Sequence, residues 1–169
     1  MALFGKKKKD FGPVVAPIDP KWAKSSDGRY PHFFDLDPEA ARLMGASGVF
    51  IIWHGGIQPG WVYVGWSDNI GESLRELADD DDVDFYERRG RLFVSWCFIR
   101  QDYQQSVVAF LTKALKPKVA NPAAEGLSIA DLIPVVPPGI TEEQKKSMSS
   151  SLSVRRTPWS DPESGPAAS

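Results

Sequence analysis

Two apolar runs of strand length, Val49 to Trp53 and Trp61 to Gly65, are separated only by His54-Gly55-Gly56-Ile57-Gln58-Pro59-Gly60. Glycine and proline at that density mark a turn, so the pair reads as a β-hairpin with a loose connection and antiparallel strands. Upstream, Asp37-Pro38-Glu39-Ala40-Ala41-Arg42-Leu43-Met44 opens like a short helix. Asp37 is its cap, Pro38 takes the first position, and Gly45 or Gly48 ends it. Downstream, Ser67-Asp68-Asn69 supplies capping groups for a helix over Ile70 to Ala78, where Ile70, Leu74 and Leu77 recur at helical spacing. The acidic run Asp79 to Asp82 should end that helix in a solvated turn, because negative charge at a helix C-terminus opposes its dipole. Leu92 to Ile99 predicts a strand covered on both faces, and Gln104 to Lys116 a helix with a broad apolar face, stopped by Pro117.

The resulting order is helix, strand, strand, helix, strand, helix. It predicts an α/β (α+β) fold: a small three-stranded sheet, its first two strands an antiparallel hairpin, packed by helices. The chain has 169 residues, suited to one domain with tails. Residues 1–30, rich in Pro, Lys and Ser, read as a flexible arm, 31–134 as the folded domain, and 135–169 as a disordered tail with a short helix near Thr141 to Met148. Six Trp, nine Phe and four Tyr can fill a core, and a net charge of −2 does not announce a nucleic-acid binder. The single cysteine, Cys97, cannot pair within the chain, which suits a reducing compartment. No apolar run approaches the roughly 20 residues that span a membrane. The opening Met-Ala-Leu-Phe-Gly ahead of Lys6 to Lys9 does not read as a signal peptide. The expectation is a soluble cytoplasmic protein.

Gly48-Val49-Phe50, then Tyr63-Val64-Gly65, then Ser67-Asp68-Asn69-Ile70 together resemble the signature of the GIY-YIG nuclease superfamily. In that family Gly-Ile-Tyr on one strand is followed by Tyr-Ile-Gly on the next and then by a capped helix start. Leu115-Lys116-Pro117 and Asn121 resemble the end of the family's glutamate-bearing helix. The likeness covers residues 48–121 and follows the element order read from periodicity.

The resemblance implies a tyrosine hydroxyl and a metal-bound water for the nucleophilic step, an arginine at the phosphate, and one glutamate holding a divalent metal. Position by position, the first tyrosine is Phe50, which has no hydroxyl. The second survives as Tyr63. The arginine position is Ser73, and the glutamate position falls on Val108 or its neighbour Ala109. No Asp or Glu occurs from Tyr103 to Ala124, so no small shift of alignment recovers a metal ligand. The implied state is a nuclease fold without catalysis, metal or cofactor.

Other residues weigh in the same direction. Arg75 lies two positions past the arginine site, about 200° around the helix, and reads as surface. His54 reads as a polar loop residue, the acidic run as a solvated turn that repels phosphate, and Arg88-Arg89-Gly90-Arg91 as the turn into the third strand. Trp61 should share a strand face with Tyr63, either in the core or at a partner, and Trp66 should stand at the mouth of the cleft as a protein-contact anchor. Arg155, Arg156 and Trp159 form either a docking peptide or an uncommitted tail. Lys6 to Lys9 either are solvated or weakly touch a membrane or polyanion. The reading is therefore a protein-binding or assembly module whose partner the sequence does not name. Two alternatives stand beside it: a metal-dependent endonuclease with displaced catalytic groups, and, more weakly, a non-cleaving nucleic-acid binder.

Overall fold

The computed structural model describes residues 17–55, 60–127 and 132–139. The hairpin is its centre. β1 (Gly48–His54) pairs antiparallel with β2 (Gly60–Ser67) on one side and antiparallel with β3 (Leu92–Cys97) on the other, giving the sheet order β2-β1-β3. The middle strand is sealed at both edges and both faces, which is why Val49 to Trp53 is an unbroken apolar run with every residue buried. Phe50 and Ile52 face a cluster completed by Ile70 and Leu74 of α1 (Ile70–Ala78) and Val83 of α2 (Asp81–Glu87). Val49 and Ile51 point to the other face, where α3 (Gln101–Leu115) buries Val107, Val108, Phe110 and Leu111. The fold is thus the expected three-stranded antiparallel sheet packed by helices. A fourth, one-turn helix, α4 (Pro122–Glu125), is capped by Asn121.

Four local expectations are corrected. Asp37 does begin a turn, accepting from the Glu39 N–H at 3.0 Å, but no helix follows. Arg42 adopts φ 61°, which breaks helical continuity and lets Leu43 reach full burial. The carbonyls of Leu43 and Ala46 then accept the first amides of α1, Gly71 N–H at 2.9 Å and Ile70 N–H at 2.8 Å. Tertiary demand for those carbonyls outweighs a weak local helix signal.

The acidic run is not only a solvated turn. The Asp80 carboxylate caps α2, accepting from the N–H groups of Asp82 and Val83, and Asp81, Asp82 and Asp84 occupy its first turn. Carboxylates that would oppose the end of one helix favour the start of another. β3 also stops at Cys97, leaving Phe98 66% exposed, and α3 begins at Gln101, three residues earlier than expected.

The fourth correction concerns the ends. Ile18–Gly139 form one compact unit, wider than 31–134. Trp22 is buried and its indole N–H donates to the Val136 carbonyl at 2.6 Å, while Ile18 and Val135 form a parallel bridge. Val135, Val136, Pro137 and Pro138 are buried as well. Over residues 18–30 and 135–138, the proline-rich composition suits irregular backbone lying across a packed body. Lys6 to Lys9, the helix expected near Thr141 to Met148, and Arg155, Arg156 and Trp159 lie outside the described residues.

Both edges of the sheet are covered without further strands. Along β3, Ala23 N–H donates to the Trp96 carbonyl at 2.9 Å and Val94 N–H to the Pro31 carbonyl at 3.1 Å. Along β2, Lys118 N–H donates to Trp61 O at 3.0 Å and Val119 N–H to Val62 O at 2.8 Å. Covering exposed edges in this way removes a template for unwanted strand pairing. Cys97, in β3 opposite Val49, is free and buried, and burial pushes its thiol up to about 12. The five ion pairs among the described residues are all largely exposed and contribute little to stability. Among the described residues no helix is long and apolar enough to cross a membrane.

Candidate functional site

A cavity of about 300 Å³ opens between β2, α1 and the start of α4. Its wall contains Phe50, Tyr63, Trp66, Ser73 and Asn121, together with the carboxylate-bearing Glu76 and Asp80. Phe50 and Tyr63 lie nearly parallel, 12° apart with centroids separated by 6.0 Å. They are held close because Gly65, opposite Phe50 in the strand register, has no side chain: a β-carbon there would lie 2.9 Å from both rings. Asn121 closes one side, its amide donating to the Val64 carbonyl at 3.0 Å while its oxygen accepts from Ala123 N–H at 3.2 Å. Ser73 is turned into a short hydroxyl chain, donating to Ser67 Oγ at 2.8 Å, which in turn accepts from Asn69 N–H at 2.9 Å.

The electrostatics are one-sided. No Lys or Arg lines this cavity. Tyr63 feels this field. Burial first, and then the negative charges of Asp80 and Glu76, push its phenol above the ordinary value of 10.0. The hydroxyl therefore stays protonated, a hydrogen-bond donor and not a base.

Of the residues singled out from sequence, Phe50, Tyr63, Ser73 and Trp66 meet at this cavity, and Trp66 is half-buried there. Val108 does not line it: it is fully buried in the α3 interface with the sheet. Trp61 is a correction. The β1–β2 register shifts between Ile52 and Trp53, so that Tyr63 pairs with Ile52 but Trp61 pairs with Trp53. The extra residue in β2, Val62, resets the alternation and sends Trp61 to the side of Trp53, with ring centroids 6.1 Å apart. Two-residue spacing therefore misplaces Trp61 relative to Tyr63. Arg75 is on the surface, paired with Glu39 at 3.1 Å. His54 is the last residue of β1, its Nδ1 3.0 Å from the Gly55 carbonyl, and Arg88 to Arg91 form the turn before β3.

Sequence reasoning did not assign Glu76 and Asp80 to the site. The signal was present: Ser73, Glu76 and Asp80 stand three and then four residues apart, the spacing of one helix face.

A divalent metal of the kind the resemblance implies does not fit these residues. Val108 offers no ligand, and Asp80 Oδ1 is already engaged by two backbone amides. Among the described residues no group of three or more His, Cys, Asp or Glu is arranged to hold a metal ion. Comparison of the chain with protein-family models, with curated proteins and with solved structures finds no match.

Proposed function

We propose that this chain is a non-catalytic protein-binding or assembly module built on a degenerate GIY-YIG nuclease fold, acting in the cytoplasm. One observation carries the reading. The positions singled out by the resemblance (Phe50, Tyr63, Ser73 and Asn121) border one cavity whose charged groups are both carboxylates. A nuclease site must neutralise a phosphate and polarise its leaving oxygen, and that takes cations. Glu76 and Asp80 repel the same group, and Ser73 cannot replace a guanidinium. Trp66 and Tyr63 offer amphipathic aromatic surface of the kind that anchors protein contacts. Arg155, Arg156 and Trp159 are a second contact segment in this proposal.

The competing reading is a metal-dependent endonuclease with displaced groups, for which Glu76 and Asp80 would have to serve as the metal ligands. Incubating supercoiled plasmid with the full chain and millimolar Mg²⁺ or Mn²⁺ separates the two. The expected result is no nicking above buffer, with no rise in melting temperature on adding metal. Metal-dependent nicking abolished by Glu76→Gln would overturn the proposal. Binding to nucleic acid that weakens steeply with salt, without cleavage, would favour a non-cleaving nucleic-acid binder instead.

A further inference from the structure

We infer that the cavity beside Tyr63 receives the guanidinium of an arginine side chain presented by a partner protein. The inference rests on the protein-contact reading of this site and adds the chemistry of the contact.

Three features of the cavity converge on a cation. Tyr63 and Trp66, both half-buried, are among the residues that line the cavity, and an aromatic face turned to such an opening attracts positive charge. Glu76 and Asp80 contribute two carboxylates with no Lys or Arg in the lining. Glu76 and Asp80 have no cationic partner among the described residues, as is true of other described carboxylates such as Glu72 and Asp82; what sets these two apart is that they line a cavity with aromatic groups. Only one oxygen of Asp80 is used in capping α2, and the Glu76 side chain makes no hydrogen bond among the described residues. The negative charges of Asp80 and Glu76, which after burial are the lesser causes of the raised Tyr63 phenol, would draw a cation inward and push an anion away.

Size and shape narrow the choice. A cavity of about 300 Å³ is at the lower end of ligand pockets, roughly 300–1,000 Å³, and suits one long side chain better than a nucleic-acid strand. Arginine fits better than lysine. Its planar fork can address a carboxylate with two N–H groups while its flat face stacks on an aromatic ring, and it sheds water more readily than an ammonium.

The test uses the full-length, ¹⁵N-labelled chain and two probes of nearly equal shape, N-acetyl-arginine amide and N-acetyl-citrulline amide, the second neutral. The expected result is saturable shifts of the Trp66 indole N–H and of the Ser73, Glu76 and Asp80 amides with the arginine probe. Those shifts should weaken with added salt, and the citrulline probe should bind roughly tenfold or more weakly. The double variant Glu76→Gln/Asp80→Asn should lose the arginine response by about the same factor while keeping its helicity, because an amide at position 80 still caps α2. Should that variant lose helicity, Glu76→Gln alone, at an exposed position, carries the test with a loss of about threefold. Equal response to both probes, no response to either, or a response that survives charge removal overturns the inference. A partner-capture arm separates it from the reading beneath it. Capture that needs Trp66 but not Glu76 and Asp80 overturns the arginine contact and leaves the protein-contact surface standing. Capture indifferent to Trp66 overturns both.

Discussion

The two edges of the sheet solve one problem in two ways. At β3 the covering segment bonds through its backbone: Ala23 to Trp96, Pro31 to Val94, with Ser95 Oγ adding a third bond to the Ala23 carbonyl at 2.7 Å. Behind it Trp22 is driven into the body and tied to Val136. At β2 the cover runs as backbone through Lys118 and Val119 and then changes character, for the next bond to the strand comes from the Asn121 side chain. Backbone cover does not close off space: a cavity of about 1150 Å³ lies where the covering segment meets β3, lined by Lys24, Tyr30, Pro31, Phe93 and Trp96 among others. At β2 the Asn121 side chain borders the smaller cavity, the one beside Tyr63. Both edges thus combine backbone cover with a cavity, and they differ in its charge: Lys24, Arg29, Asp27 and Asp35 mix both signs at β3, whereas Glu76 and Asp80 leave only carboxylates in the one beside Tyr63.

The contrast in how the edges are covered can be broken at either one. Trp22→Ala should be the most damaging single change, destabilising by about 3–5 kcal/mol in urea unfolding, since it empties a buried site and strands the Val136 carbonyl. Gly65→Ala tests the packing that shapes the cavity. Its β-carbon must displace the Phe50 or Tyr63 ring, at a cost of about 1–3 kcal/mol by the same measurement. Asn121→Ala removes both the α4 cap and the bond to Val64, and should cost about 1–2 kcal/mol. If Asn121→Ala proved as damaging as Trp22→Ala, the two edges would be held equally firmly and that contrast would fall.

Trp66→Ala sharpens the comparison from the functional side. It should change stability by no more than about 1 kcal/mol and weaken partner capture by roughly 2 kcal/mol. A strongly destabilised fold with unchanged capture would make Trp66 a core residue. The smallest effect is on Tyr63, followed by ultraviolet titration of its phenol. Burial is the first cause of its raised value and persists in Glu76→Gln/Asp80→Asn, so the titration should move only part of the way back toward 10.0. Because the folded value is raised, the stability this group contributes is complete below the unfolded value. It is lost as pH rises through the folded one. In the double variant that loss should be smaller and complete at lower pH, with its onset at the unfolded value unchanged.

The sheet was legible because its signals are local and strong. Val49 to Trp53, Trp61 to Gly65 and Leu92 to Cys97 are apolar runs bounded by turn residues, and the α1 cap at Asn69 sits where spacing placed it. What escaped depends on distant partners. The segment after Asp37 carries a helix start, yet Leu43 and Ala46 are needed by the amides of α1, and no window around residue 40 contains that demand. Trp22 reads as part of a polar arm because its acceptor, Val136, lies 114 residues away. At the site, Phe50, Tyr63, Ser73 and Trp66 were placed by the order of short motifs, whereas Trp61 was lost to one inserted strand residue, which periodicity cannot register. Glu76 was given no role at all, and Asp80 was read only as part of a solvated turn that repels phosphate.

Cys97 gives the molecule a clock. It is the only thiol in the chain, and it sits in β3 against the central strand with its proton held tightly. A thiol-reactive reagent in solution reacts only with molecules in which that strand has come away, since the closed form presents neither access nor thiolate. The labelling rate, with reagent in excess, thus counts openings of the sheet one molecule at a time, with no introduced cysteine. Run on Trp22→Ala and Asn121→Ala side by side, it would reveal which edge the sheet opens from.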